Sequence, residues 1–112
     1  MAKIRFSPAA RQDLLETSDY IASKLRNKRA AAALMKRLQA EVASLTQFPE
    51  SGTPLSFPGI SIVYRYLVCG NYLIFYHLSE DTAHIDRILY GRRDYLSILF
   101  SEERSEEADE QQ

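Results

Sequence analysis

Residues 60–90 read ISIVYRYLVCGNYLIFYHLSEDTAHIDRILY, and this stretch decides the fold. It contains three segments rich in Val, Ile, Leu, Phe and Tyr, which are typical of β-strands. The turn-forming pairs Gly70-Asn71 and Glu80-Asp81 separate the segments, so both connections are predicted to be tight hairpins. The predicted strands of this antiparallel meander are Ile60–Val68, Tyr72–Ser79 and Ala83–Tyr90.

A two-residue loop in each hairpin would fix which residues face one another. Under that register Arg65 lies opposite Tyr76, and Arg87 lies opposite Ile74. Because opposed residues share a face of the sheet, Arg65, Tyr76 and Arg87 are expected on one uncovered surface. Two guanidinium groups beside a tyrosine could hold a phosphate or an acidic partner. A slip of one residue in either hairpin would move one arginine to the opposite face.

Two amphipathic helices precede the meander. Ser7-Pro8 marks the first helix start, since serine caps free N–H groups and proline fits the first turn. Apolar residues recur at helical spacing as far as Leu25, and a second helix runs from Lys28 to Phe48-Pro49. Asn27 is the expected left-handed break between them. So short a joint predicts an antiparallel helical hairpin.

The order of these elements predicts the fold class. Lys3–Phe6 is typical of a short opening strand, and Tyr95–Phe100 of a short C-terminal helix or a strand extension. Between the helices and the meander, Pro49–Pro54 and Phe57–Gly59 form a turn-rich connector. We therefore expect an α+β fold with the helical hairpin packed on one sheet face, formed by residues 1–100 as a single domain.

The net charge of −1 hides an uneven distribution. Residues 1–100 hold 13 Lys and Arg against nine Asp and Glu, whereas residues 101–112 hold six acidic side chains and one arginine. The body is therefore mildly basic, and the acidic tail is expected to be disordered. The tail either solubilises the chain or shields the basic surface.

Composition also bears on location. No apolar run is long enough to cross a membrane, and no signal-peptide core opens the chain, so no membrane partner is expected. The single cysteine, Cys69, cannot form an internal disulfide. These features predict a cytoplasmic protein.

Several common chemistries have no motif in this chain. There is no Gly-rich phosphate loop, Cys/His ligand set or nucleophile elbow, so no metal and no cofactor are expected. His77 and His84 are predicted neighbours with Tyr64 in the same row, on the face opposite the two arginines. Two histidines without a third ligand make a poor zinc site. Packing is the preferred interpretation of this pair, and metal binding or acid–base work is the alternative.

Four segments, taken together and in order, resemble the RelE/ParE toxin superfamily. Each is weak alone, but together they extend over nearly residues 3–100. The resemblance implies the toxin half of a type II toxin–antitoxin pair, held inactive in a hetero-oligomer by an antitoxin that wraps around it. The segments are Ser7–Ala10, Phe48–Pro54, Tyr64–Val68 with Gly70–Tyr76, and Arg87–Asp94.

The superfamily divides in function. RelE-like members cut mRNA in the ribosomal A site, whereas ParE-like members inhibit DNA gyrase and show no nuclease activity. Tyr90 stands where many relatives have histidine, and tyrosine is a poorer base near neutral pH. No lysine follows Lys36, so a lysine-assisted nuclease site on the connector or sheet is not available. For a RelE-like nuclease the resemblance implies these candidate catalytic residues: Arg65, Arg87, Tyr90 and Tyr95.

The ParE-like branch is the preferred interpretation, because the helical hairpin is long and the body only moderately basic. It implies a gyrase-binding inhibitor with no catalytic residues of its own. The alternatives are a ribosome-dependent mRNA endonuclease and a non-toxic binding module. The expected target-binding residues are Arg65, Tyr76, Arg87, Arg92 and Arg93. The expected antitoxin-binding residues are apolar helix positions: Leu14, Ile21, Leu34 and Leu38.

Overall fold

The computed structural model describes residues 1–91 and has the predicted order of strand, helical hairpin and meander. The expected C-terminal helix at Tyr95–Phe100 and the tail at 101–112 lie outside the described residues. The strands are β1 (Lys3–Phe6), β2 (Thr53–Leu55), β3 (Tyr64–Cys69), β4 (Tyr72–Ser79) and β5 (Thr82–Tyr90). The helices are α1 (Pro8–Asp19), continued by a π-helical turn (Tyr20–Lys24), and α2 (Lys28–Ala43), continued by a 3-10 turn (Ser44–Thr46).

The five strands form one sheet in the order β1-β5-β4-β3-β2. β1 pairs in parallel with β5, and the other neighbours are antiparallel. Strand β2 arises from the connector, which the sequence indicated only as turns. Pro54 is compatible with this strand because β2 lies at the sheet edge, where one side needs no N–H donor.

Both hairpins have the predicted two-residue loops, and most of the predicted register is confirmed. Arg65 lies opposite Tyr76, and Tyr76 lies opposite Ile85. The predicted pairing of Arg87 with Ile74 is wrong, because Arg87 pairs with Phe75. The register shifts between Phe75 and Tyr76, so β5 has an extra residue, Asp86, at a β-bulge.

The helix boundaries follow from side-chain caps. Ser7 caps α1 as predicted, since its side chain accepts a hydrogen bond from the Ala10 N–H at 2.9 Å. Asn27 is not the left-handed break: its φ is −131°, and its side chain accepts from the Ala30 N–H at 3.0 Å. The left-handed residue is Arg26, with φ of 50°. Asparagine is a strong N-cap, and this role requires a non-helical backbone at position 27.

The main core lies between the helices and one face of the sheet. Helix positions such as Leu38 and Val42 pack there with Ile74, Tyr76 and Ile85 of the sheet. A smaller cluster of Phe75 and Leu89 forms separately from it. Because side chains of the interior strands pack in both clusters, the sequences of these strands are nearly continuous hydrophobic runs. Within residues 1–91, no helix has the length and apolarity needed to span a membrane.

Candidate functional site

Arg87 is bound to helix α1 through a largely buried ion pair with Asp13. Its Nε donates to Asp13 Oδ2 at 2.8 Å, and its Nη2 donates to Asp13 Oδ1 at 2.9 Å. The two side chains are 18% and 8% exposed. Asp13 Oδ2 also accepts a hydrogen bond from the Ile88 N–H at 2.9 Å. This bidentate pair fastens α1 to β5 and compensates the charge of Arg87.

Arg65 and Tyr76 hold the connector against the sheet. Arg65 Nη1 donates to the carbonyls of Glu50 and Gly52, both at 2.9 Å. The Tyr76 side chain is fully buried, and its hydroxyl donates to the Pro49 carbonyl at 2.8 Å while accepting from the Gly52 N–H at 2.9 Å. A Cβ at Gly52 would lie 2.6 Å from the Tyr76 ring and hydroxyl, so only glycine fits here.

The expected uncovered surface formed by Arg65, Tyr76 and Arg87 is therefore wrong. The helical hairpin covers the face on which Tyr76 lies, and the guanidinium groups of both arginines are hydrogen-bonded to other parts of the chain. The alternation of side chains along the strands indicates neither which face of the sheet the helices cover nor that a bulge shifts Arg87. The other expected target-binding residues, Arg92 and Arg93, lie outside residues 1–91.

Sequence reasoning missed the structural role of Asp13. A signal was present, because Asp13 follows Ala10 by three residues and precedes Thr17 by four. It therefore lies on the stripe of α1 that faces the sheet. A carboxylate on a buried stripe requires a cation or several donors, and Arg87 with the Ile88 N–H supplies them.

A groove of about 780 Å³ lies between α1 with its π-helical turn and the adjoining ends of β4 and β5. Three of its lining side chains are large, apolar and exposed: Tyr20 at 56%, Leu25 at 58% and Tyr90 at 53%. The Tyr90 ring meets the Tyr72 ring edge to face, at 5.5 Å between centroids. Exposed aromatic and aliphatic side chains gathered in one concavity are typical of a partner-binding site.

Tyr72 lies at the wall of this groove and stays protonated at physiological pH. Burial, and then the neighbouring Tyr90 hydroxyl, raise the pKa of Tyr72, against a smaller opposing effect of its hydrogen bond with Thr17. The groove therefore presents a neutral aromatic wall to a partner.

The four helix residues expected to bind an antitoxin have different positions. Ile21 lines the groove. Leu14 and Leu34 are partly buried and pack against the main core. Leu38 is 1% exposed, so its expected place on a docking surface is incompatible with its burial. The apolar stripe of a helix that lies on a sheet faces the sheet, so most of these side chains pack inward, whereas Ile21 of the π-helical turn reaches the groove.

The residues implied for a RelE-like nuclease do not form one exposed cluster within the described chain. Arg65 and Arg87 make the internal contacts given above, whereas Tyr90 is exposed at the groove. Tyr95 lies outside residues 1–91. The groove beside Tyr90 carries the carboxylates of Asp13 and Glu16, and none of its described lining residues is a lysine or arginine.

His77 and His84 are opposed across β4 and β5, as predicted. Their rings stack at 4.8 Å between centroids and 10° between planes. His77 Nδ1 lies 2.7 Å from Asp86 Oδ2, and the Tyr64 ring meets His77 edge-on at 6.0 Å. Among residues 1–91, no group of three His, Cys, Asp or Glu side chains is placed to hold a metal ion.

Comparison with known proteins places the chain in a family. Residues 4–95 match the family described as ParE toxin of type II toxin-antitoxin system, parDE. The fold is similar to that of a solved structure described as the chromosomal ParDE TA system from P. aeruginosa. The TM-score is 0.64 at 20% identity, and the alignment covers 79% of this chain and 94% of that chain. Among curated proteins, none matches the sequence. The family match covers most of the sequence, the fold agrees with it, and the chain therefore belongs to the ParE toxin family of type II toxin–antitoxin systems, within the RelE/ParE superfamily.

Proposed function

We propose that this toxin inhibits growth by binding DNA gyrase in the cytoplasm, without cleaving nucleic acid, and that a cognate antitoxin neutralises it. The observation that carries the proposal is the internal engagement of the two basic residues that a nuclease of this superfamily would use. Arg87 is paired with Asp13, and Arg65 is bound to main-chain carbonyls.

The chemistry of RNA cleavage explains why this engagement favours a binding inhibitor. Attack of a 2′-hydroxyl on the adjacent phosphate needs a base, an acid and cations for the developing charge. The Asp13 carboxylate already compensates the Arg87 charge. Tyr90 borders a groove in which Glu16, the charged lining residue described without an ion-pair partner, would repel a phosphate.

The groove is the proposed docking site of the antitoxin. Its exposed Tyr20, Leu25 and Tyr90 offer apolar anchoring surface, and its volume of about 780 Å³ accommodates several inserted side chains. An amphipathic helix or extended segment can bury such anchors on docking. Glu16 at the same groove would favour a segment that also carries a lysine or arginine.

Gyrase contact is assigned to the basic segment that follows β5. Arg92 and Arg93 remain the proposed target-binding cations, because Arg65 and Arg87 are engaged internally. The proposal thus assigns different residues to the target and to the antitoxin. Charge reversal at Arg92 and Arg93 should therefore weaken gyrase inhibition while leaving antitoxin binding nearly unchanged.

Two parallel assays test the proposal. Purified toxin is added to a gyrase supercoiling reaction and to a ribosome–mRNA translation reaction. We expect blocked supercoiling or trapped cleaved DNA in the first, and intact mRNA in the second. Codon-phased mRNA cleavage with normal supercoiling would instead identify a RelE-like endonuclease. Unaffected growth on induced expression without antitoxin would identify a non-toxic binding module.

The matched variants in these assays are Arg92→Glu/Arg93→Glu and Lys24→Glu/Arg29→Glu. Both double variants change the net charge equally, but the second lies at the exposed tip of the helical hairpin. We expect only the first to lose gyrase inhibition. Equal losses in both would attribute the effect to net charge and contradict the assignment of Arg92 and Arg93.

A further inference from the structure

A second concavity, of about 420 Å³, lies where β1 and the start of α1 meet β4 and β5. We call it the histidine pocket, and it shares none of its described lining residues with the groove. Its polar lining consists of Arg5, Ser7, Arg11, His77, His84 and Asp86. Neither the antitoxin nor the gyrase proposal makes use of these side chains.

The two imidazoles in the histidine pocket are fixed in orientation. Asp86 Oδ2 lies 2.7 Å from His77 Nδ1, and His84 stacks on His77 with nearly parallel planes. The Asp86 main chain is itself anchored, because the Ser7 hydroxyl donates to its carbonyl at 2.7 Å. A carboxylate that orients an imidazole in this way defines which ring edge faces the pocket.

Two arginines complete the pocket. Arg5 is the direct partner of His84 in the β1–β5 register, and Arg11 lies near the start of α1. Both are exposed, and neither guanidinium has a hydrogen-bond or ion-pair partner among residues 1–91. The one carboxylate of the described lining, Asp86, is bound to His77. With neutral imidazoles the described lining therefore holds two guanidinium cations and one carboxylate, a net charge of +1, and each imidazole adds a positive charge when it is protonated.

We propose that the histidine pocket binds a phosphate group. A phosphate offers several oxygens in a tetrahedral arrangement, which suits two guanidinium forks and an imidazole donor. The volume of about 420 Å³ exceeds that of one phosphate, so it also holds part of the group to which the phosphate is attached. The phosphate belongs to either a nucleic-acid backbone or a small phosphate ester, which share this chemistry.

Binding should tighten as the pH falls. An imidazole that takes up a proton gains one positive charge, which adds to the charge of the two guanidinium groups. A bound anion stabilises that charged form, so anion and proton uptake favour each other. The other charged or titratable groups that face the stacked rings are Arg5 of β1, Arg11 of α1, Tyr64 of β3 and Asp86 of β5.

NMR titration of the full chain tests the proposal directly. The sequence has two histidines, both in this pocket, so their imidazole proton signals report on the site alone. Inorganic phosphate is added at constant ionic strength, and sulfate, whose charge is constant over this pH range, is used to compare pH 6 with pH 8. We expect saturable shifts of the imidazole signals, with tighter sulfate binding at pH 6.

Charge-matched variants distinguish a specific phosphate site from nonspecific electrostatic attraction of the anion to the protein. Arg5→Gln/Arg11→Gln removes both pocket guanidinium groups, and Lys24→Gln/Arg29→Gln removes two exposed charges at the hairpin tip. The first should weaken binding by about tenfold or more, and the second should leave it unchanged. Non-saturable shifts, or equal weakening in the two variants, would overturn the proposal.

The same titration distinguishes the two sources of phosphate. A nucleoside 5′-monophosphate and a short single-stranded oligonucleotide are compared at two salt concentrations. Tighter oligonucleotide binding with steep salt dependence would identify a nucleic-acid backbone, whereas equal binding would identify a small ester. Absence of binding by every probe would reject the pocket while leaving the gyrase and antitoxin proposals untouched.

Discussion

The arginines of the interior strands differ from those of β1 and the start of α1 in what their guanidinium groups contact. Arg65 and Arg87 bind main-chain carbonyls and a carboxylate, respectively. Arg5 and Arg11 have no such partner within residues 1–91. All four side chains have the same chemistry, so the difference arises from what packs around each of them. Basic side chains on the interior strands can therefore be structural, while those at the margin of the sheet are available to the proposed phosphate ligand.

The largest expected effect is the loss of the Asp13 carboxylate. Asp13→Ala leaves the Arg87 guanidinium and the Ile88 N–H without their buried partner. We expect the free energy of unfolding to fall by about 3–5 kcal/mol, measured by urea denaturation. Glu16→Ala, on an exposed part of the same helix, is the control and should change it by less than about 0.5 kcal/mol.

A smaller loss of stability is expected at Gly52. Gly52→Ala places a Cβ 2.6 Å from Tyr76, which is fully buried and cannot move aside freely. We expect the free energy of unfolding, measured by thermal or urea denaturation, to fall by about 1–3 kcal/mol. Ser51→Ala, at the exposed neighbouring position, is the matched control. Equal effects at positions 51 and 52 would show that Tyr76 does not restrict the connector.

Antitoxin affinity should depend on the groove more than on exposed apolar area in general. Leu25 lines the groove at 58% exposure, whereas Leu15 is 60% exposed and is not among the groove residues. Leu25→Glu should weaken binding of the cognate antitoxin by about tenfold or more, and Leu15→Glu should have little effect. Calorimetric titration of both variants measures the difference. A larger loss of affinity for Leu15→Glu than for Leu25→Glu would contradict the groove as the docking site.

The smallest expected change concerns Cys69, which is 3% exposed. Burial raises the pKa of its thiol, so the reactive thiolate is scarcer at neutral pH than for a free cysteine. We expect slow reaction with a disulfide reagent in the native protein and rapid reaction in urea. Fast native labelling would indicate that the β3–β4 end opens locally.

Much of the fold was predictable because its signals are local. β1 and β4 were predicted with their observed bounds, and Ser7 was identified as the cap of α1. The site was not predictable to the same degree. The bulge at Asp86 and the contact between Asp13 and Arg87 involve residues far apart in sequence, the latter 74 positions. Strand alternation is insensitive to such contacts, so it placed Arg87 on an open surface.

The most direct test of the central claim is a double-mutant cycle on Asp13 and Arg87. The free energies of unfolding of the parent, Asp13→Leu, Arg87→Met and the double variant give the coupling between the two side chains. Because the pair is bidentate and largely buried, we expect a coupling above about 1 kcal/mol, with the double variant more stable than Asp13→Leu alone. Additive effects within about 0.5 kcal/mol would show that Arg87 is not held by Asp13, and would contradict the claim that its charge is engaged inside the fold.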